Sequence, residues 1–189
     1  VKHQVVINEA EKYWNGENPS EAGRVIFEHI PRKDRFIWAA SILELACNRL
    51  STIPSEIEAI LDLAKNHNRW GEGEEGTWKE AHAIVVATIG LALTPQDSLN
   101  TSISTLAMNV GKVVYNARWY PAPFDHNAGW EIAENLREIV AHANDPEFTA
   151  EAWSALSNEK YIKLMKPIMC NPNCALCYAN GLTPISEKT

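Results

Sequence analysis

The sequence predicts an all-α fold, an irregular bundle of about seven to nine helices around two buried central helices, 34–50 and 78–93. Three observations carry that expectation. Apolar residues recur at intervals of three and four, and no stretch alternates at the two-residue period of a strand. Caps, prolines and glycines punctuate the chain at helical lengths. Two segments are apolar over most of a helical circumference, the pattern of a helix covered on several sides. In Asp34–Leu50, the residues Phe36, Ala39, Ala40, Ile42, Leu43, Ala46, Cys47 and Leu50 share one broad face. Trp38 and Leu45 extend it, leaving a polar wedge at Ser41, Glu44 and Asn48. Trp78–Leu93 reads the same way.

Taken in order, Val5–Trp14 forms a first short helix stopped by Asn15-Gly16. Asn18-Pro19-Ser20-Glu21 supplies a cap, a proline at the first helical position and an acid in the first turn. The helix it opens runs to about Ile30 and stops before Pro31. After the first central helix, Ser55-Glu56-Ile57-Glu58 reads as a capping box, and Ile57, Ile60, Leu61 and Ala64 form an inner face. Gly71-Glu72-Gly73-Glu74-Glu75-Gly76 is a solvated connector, its acids not spaced for a calcium loop. Leu99–Arg118 is the cleanest amphipathic helix: Leu99, Ile103, Leu106, Val110, Val113, Val114 and Ala117 line one side. Residues 119–127, WYPAPFDHN, cannot be helical through both prolines. Asp125 or Asn127 then caps Gly129–Ala143, which Asn144-Asp145-Pro146 ends. Two shorter helices, Thr149–Leu156 and Glu159–Met165, complete the bundle.

Length and composition limit the function classes. A chain of 189 residues fits one domain with its own core, here 1–168, followed by a cysteine-bearing tail, 169–189. A hydrophobic share of 46% with 22% charge argues against disorder. The net charge of -7, without a basic block, argues against DNA or RNA as partner, so the expected partner is another protein. Lys160, Lys163 and Lys166 read as a solvated ridge. No apolar run reaches the roughly 20 residues that span a bilayer. The N-terminus lacks the layout of a secretory signal, and four cysteines do not make a disulfide scaffold. The expected compartment is the cytoplasm.

One motif points to chemistry. Cys170, Cys174 and Cys177 place three of the four cysteines within eight residues. Thiolates favour soft or borderline metals, and three on one short segment need one more donor to close a tetrahedron. Asn171 and Pro172 read as a cap and a first helical residue, which puts Cys174 and Cys177 on one face with Cys170 just ahead. The expected cofactor is zinc or an iron–sulfur cluster. The same residues also read as a thiol pair, Cys174 with Cys177, or as reduced cysteines without a role. The spacing C-x3-C-x2-C, preceded by Ile168-Met169 and followed by Tyr178, resembles the cluster loop of radical S-adenosylmethionine enzymes. In that family three such cysteines hold a [4Fe–4S] cluster whose open iron binds the methionine moiety. The resemblance covers Cys170 to Tyr178. The family's loop leaves the first strand of a long α/β barrel, whereas this chain reads as helices upstream and has a dozen residues after Cys177. What carries over is a spacing suited to a metal.

Other polar residues are weaker candidates. Asp125 and His126 form a possible secondary site in the aromatic loop, since an acid beside a loop histidine often carries function. His82 lies among Trp78, Val85, Ile89 and Leu93 and reads as a core histidine, with Glu44 as a hydrogen-bond partner. Glu134, Glu138 and His142 make a stripe opposite Leu136, Ile139, Val140 and Ala143, which reads as a solvated face. Trp14, Trp38, Trp78 and Trp153 fall on apolar faces, while Trp70, Trp119 and Trp130 flank loops. No nucleophile elbow, phosphate-binding loop, dinucleotide glycine pattern or zinc-protease motif is present. Two function classes follow: a small metal- or cluster-binding protein using Cys170, Cys174 and Cys177 in a structural or redox role, or a non-enzymatic helical interaction module of immunity or accessory type.

Overall fold

The computed structural model describes residues 3–66, 75–116 and 125–163. Among them are eight helices and no strand: α1 (Gln4–Trp14), α2 (Pro19–Glu28), α3 (Arg32–Cys47), α4 (Ser55–Lys65), α5 (Glu75–Leu93), α6 (Ser98–Asn116), α7 (Asp125–Ala143) and α8 (Pro146–Leu156). The all-α class is as expected, and so is α3 at the centre. Trp38, Ala39, Ile42, Leu43 and Ala46 are fully buried, and the helix packs on α4, α6, α7 and α8.

Its companion is α6 and not α5. Around α6 stand α3, α4, α5 and α7. Ile103, Leu106, Val110, Val113 and Val114 are buried as predicted, but so are Ser102, Ser104, Ala107 and Asn109 from the supposedly polar side. Each buried polar group has a partner. Asn109 Nδ2 donates to Asn135 Oδ1 at 2.8 Å, Lys112 Nζ donates to Asn109 Oδ1 at 3.0 Å, and Gln96 Nε2 donates to Ser104 Oγ at 3.2 Å. Small polar residues enter a core when a neighbouring helix carries a matching amide or hydroxyl.

The expectation that 78–93 is a buried central helix is corrected. From Ala81 onward, only Ala81, Val85 and Thr88 of α5 are buried; Ala83, Val86, Ala87, Gly90 and Leu93 are exposed. The helix packs chiefly on α6 and α4, at the side of the bundle. An apolar circumference says that a helix could be covered all round, but not that the fold supplies the cover.

Helix ends show where local chemistry was misread. Pro54 (φ -58°, ψ 143°), and not Ser55, occupies the N-cap of α4. Ser55 therefore lies inside the first turn and its hydroxyl bonds Glu56 Oε2 at 3.1 Å, so the capping box does not form. Likewise Asn18 stands at the N-cap of α2 without a side-chain cap bond, and Glu21 instead pairs with Arg24. Pro31 caps α3, which starts before Asp34; residues 48–50 close with three-residue hydrogen bonds in place of a last α turn. Helix α7 begins at Asp125, earlier than expected. At its other end Asn144 takes φ 47°, a left-handed value that asparagine tolerates, and the chain reverses there. Asp145 then caps α8, accepting from the amides of Glu147 (2.9 Å) and Phe148 (3.3 Å), with Pro146 at the first position. The Asn-Asp-Pro sequence thus ends one helix and starts the next. The short helix expected at Glu159–Met165 is, over its described residues 159–163, a turn.

Candidate functional site

Cys170, Cys174 and Cys177 lie outside the described residues, as do the side chains of Asp125 and His126. The backbone of those two opens α7, so they belong to a helix's first turn and not to a loop corner. The chain that leads into the cysteine motif is firmly placed. Trp38 Nε1 donates to the Leu156 carbonyl at 3.0 Å, which fixes the end of α8 against α3. Ser157 Oγ returns to Trp153 O at 2.8 Å, and Tyr161 N to Asn158 O at 3.1 Å. Tyr161 and Ile162 are buried in the core. Lys163 N then donates to His29 O at 2.8 Å, so the segment comes to rest on the C-terminal end of α2.

That helix end is unusually complete in its hydrogen bonding. The last carbonyls of a helix have no partner within the ladder and must find one elsewhere. Here the final turn tightens: His29 N bonds Ile26 O at 3.0 Å and Ile30 N bonds Phe27 O at 3.1 Å. The His29 ring takes up Val25 O through Nδ1 at 2.8 Å, and Arg35 Nε takes up Ile30 O at 3.0 Å. A carbonyl can only accept, so His29 Nδ1 carries the proton in that bond. In the neutral ring Nε2 is then the nitrogen with the lone pair. Sequence reading passed over His29. The available signal was a histidine in the last turn before Ile30-Pro31, where a ring nitrogen can reach a terminal carbonyl.

The remaining candidates fall apart spatially. His82 is exposed, not in the core; its ring meets Tyr115 edge-on with centroids 6.0 Å apart, and Glu44 pairs with Lys65 at 3.2 Å. The correction follows from the placement of α5 at the side of the bundle. Glu134 is half-buried, while Glu138 and His142 are exposed. Burial, and then Glu138 and Glu131, push the Glu134 carboxyl up. Among the described residues no three His, Cys, Asp or Glu side chains are grouped so as to hold a metal ion. Cys47 is buried at 2% exposure, and its thiol is pushed up to about 11 by burial and by Glu44, so it stays protonated as a small core residue.

A shallow groove of about 460 Å³ runs along the α7–α8 corner, lined by residues that include Arg137, Asn144, Asp145 and Thr149. Its charges are already engaged. Arg49 donates to Asp145 Oδ2 at 2.6 Å and lies over the Phe148 ring at 4.4 Å, while Arg137 covers Trp14 at 5.2 Å. The Arg49 bond first, and the Phe148 amide second, hold the Asp145 carboxyl below the usual carboxylate range. A depressed carboxyl contributes stability that is fully present above its unfolded value of about 3.9 and is lost as pH falls through the lower folded value. Urea midpoints should therefore drop on acidification below about pH 4 more steeply in the native protein than in Asp145→Asn, which keeps a capping oxygen. Parallel curves would remove the ion pair from the account of acid sensitivity.

The class these features define is an all-α bundle whose last described segment is moored on a helix end. No known family, curated protein or solved structure matches the chain. Among the described residues no helix is long and apolar enough to cross a membrane.

Proposed function

We propose that the protein binds a metal centre, zinc or an iron–sulfur cluster, through Cys170, Cys174 and Cys177, in a structural or redox role. The observation that carries this reading is three thiols at C-x3-C-x2-C spacing in a chain whose only other cysteine is Cys47. Three thiolates at such spacing can share one coordination sphere, and binding releases protons as they ionise. The mooring of Lys163 to α2 supports the reading, because it starts the cysteine-bearing segment from a fixed point. The test is metal analysis of protein purified without chelator, both in air and anaerobically, with a native thiol count. One equivalent of metal should accompany three cysteines that alkylate only after the metal is stripped. Cys47 should stay unreactive throughout, as a buried thiol with a raised pKa. Absence of metal from both preparations overturns the proposal.

One observation favours a second reading, a helical interaction module. From Ala81 to Leu93, α5 carries no Asp, Glu, Lys or Arg, yet Val86 is 49% and Leu93 80% exposed. Exposed apolar surface of this kind marks interaction sites when it is contiguous. This reading takes over if the protein is metal-free, and it then requires that Val86→Lys and Leu93→Lys change the association state while leaving the helical content intact.

A further inference from the structure

The cysteine motif offers three donors, and a tetrahedral zinc site needs a fourth. We infer that His29 supplies it through Nε2, making a Cys3His zinc site that staples the C-terminal segment to the end of α2; the inference rests on the metal-binding reading above.

Two independent observations converge on this histidine. The first is position. Lys163 N is bonded to His29 O at 2.8 Å, and Cys170 follows Lys163 by seven residues in the sequence. At about 3.3–3.6 Å per residue, seven residues span at most roughly 25 Å, so all three cysteines start from a point next to His29. Buried Tyr161 and Ile162 hold that point in place. The second is the chemistry of the ring. Metal-bound histidines nearly always donate their other ring N–H to a backbone carbonyl or carboxylate, which sets the tautomer and aims the ring. His29 makes that bond already, from Nδ1 to Val25 O at 2.8 Å. The neutral lone pair is therefore on Nε2, and the ring is oriented before any metal arrives.

The other described histidines lack one or both features. His82 is exposed on α5 and His142 on the last turn of α7, and neither helix end carries the bond to the 157–163 segment. His3 precedes α1, which packs on α2 across a four-residue connection and so runs antiparallel to it, placing His3 towards the same end of the pair. Its Nδ1, however, is buried without a hydrogen-bond partner among the described residues, so no bond there fixes its tautomer.

Binding is measured on the full-length protein with zinc itself, by competition against a chromophoric chelator, and with cobalt(II) for its absorption spectrum. Wild type should bind one equivalent. His29→Gln should weaken zinc by at least about 100-fold, beyond the roughly 10–100-fold that loss of a supporting hydrogen-bond partner causes, and should alter the cobalt ligand-field bands. His3→Gln should bind as wild type does. A direct readout on the wild-type protein guards against a folding defect in the variant: with ¹⁵N-labelled histidine and ¹¹³Cd in place of zinc, the Nε2 resonance of His29 should show coupling to the metal. Wild type without zinc affinity would sink the metal reading and this inference together. Zinc bound with full affinity and an unchanged cobalt spectrum in His29→Gln would leave the metal reading standing and remove His29 alone. Cadmium coupling to another histidine, or to none, would do the same.

Discussion

Gly23→Ala and Gly129→Ala are each expected to destabilise the bundle by about 3 kcal/mol, the upper end of what overpacking costs. These two glycines face each other where α2 crosses α7, the most extensive helix pair among the described residues. A Cβ on Gly129 would stand 2.5 Å from the Gly23 carbonyl oxygen and 2.9 Å from Phe27 Cγ; one on Gly23 would run into the Gly129 carbonyl oxygen and Ala133 Cβ. Alanine in place of glycine favours a helix by up to about 1 kcal/mol, which opposes the effect. The clash wins because the struck atoms are largely backbone, which yields only if the helices separate and lose their packing along the whole crossing. Once one methyl has forced them apart, the second meets less resistance, so the double variant should cost less than the sum of the two singles. Denaturant unfolding followed by circular dichroism measures all three. A net gain in stability from either single substitution would mean that α2 and α7 are not in contact at this crossing.

Trp38→Ala should cost at least as much. The side chain is fully buried in α3, beside the Phe27 ring at a centroid distance of 5.7 Å. Removing a buried aromatic costs about 3–5 kcal/mol in lost burial and cavity. It also strips the Leu156 carbonyl of its donor, for about 1–3 kcal/mol more where that oxygen stays dry. Trp38→Phe keeps most of the packing and loses the hydrogen bond, so it should fall between wild type and Trp38→Ala. The order can be read from urea unfolding. Hydrogen exchange adds a local readout: the Lys163 amide, bonded to His29 O, should lose protection in both variants, because the indole bond fixes the end of α8 from which the 157–163 segment leaves. Unchanged exchange at Lys163 in Trp38→Ala would separate the segment from the α3–α8 contact.

Much of this fold was legible in the chain. The 3.6-residue apolar period located the helices to within a few residues, and the apolar face of Asp34–Leu50 put Trp38, Ile42 and Leu43 in the core, where they are. Side-chain caps were legible only in part. Asp145 caps α8, but Pro31 and Pro54 took the N-caps of α3 and α4, because a proline's fixed φ suits the extended residue that precedes a helix as well as the first residue within it.

The candidate site was legible at one end only. The spacing of Cys170, Cys174 and Cys177 is a property of the chain, and it names a chemistry without a fourth donor. His29 lies far from them in sequence, and nothing local to it announces a site; its relevance comes from the Lys163 contact, which exists only after α3 and α8 have packed.

What the sequence determined by itself is therefore the periodic part: helix content, the apolar face of α3, the buried Cys47, and a thiol cluster suited to metal. What only the tertiary structure decided is which helices are covered. The segment 78–93 and α6 both carry enough apolar residues to be central, yet α6 is surrounded and α5 is not. The reason is that burial depends on neighbours. Asn135 of α7 gives buried Asn109 of α6 a partner, so α6 can be enclosed in spite of its polar residues, while the outer face of α5 meets no described helix in spite of having none.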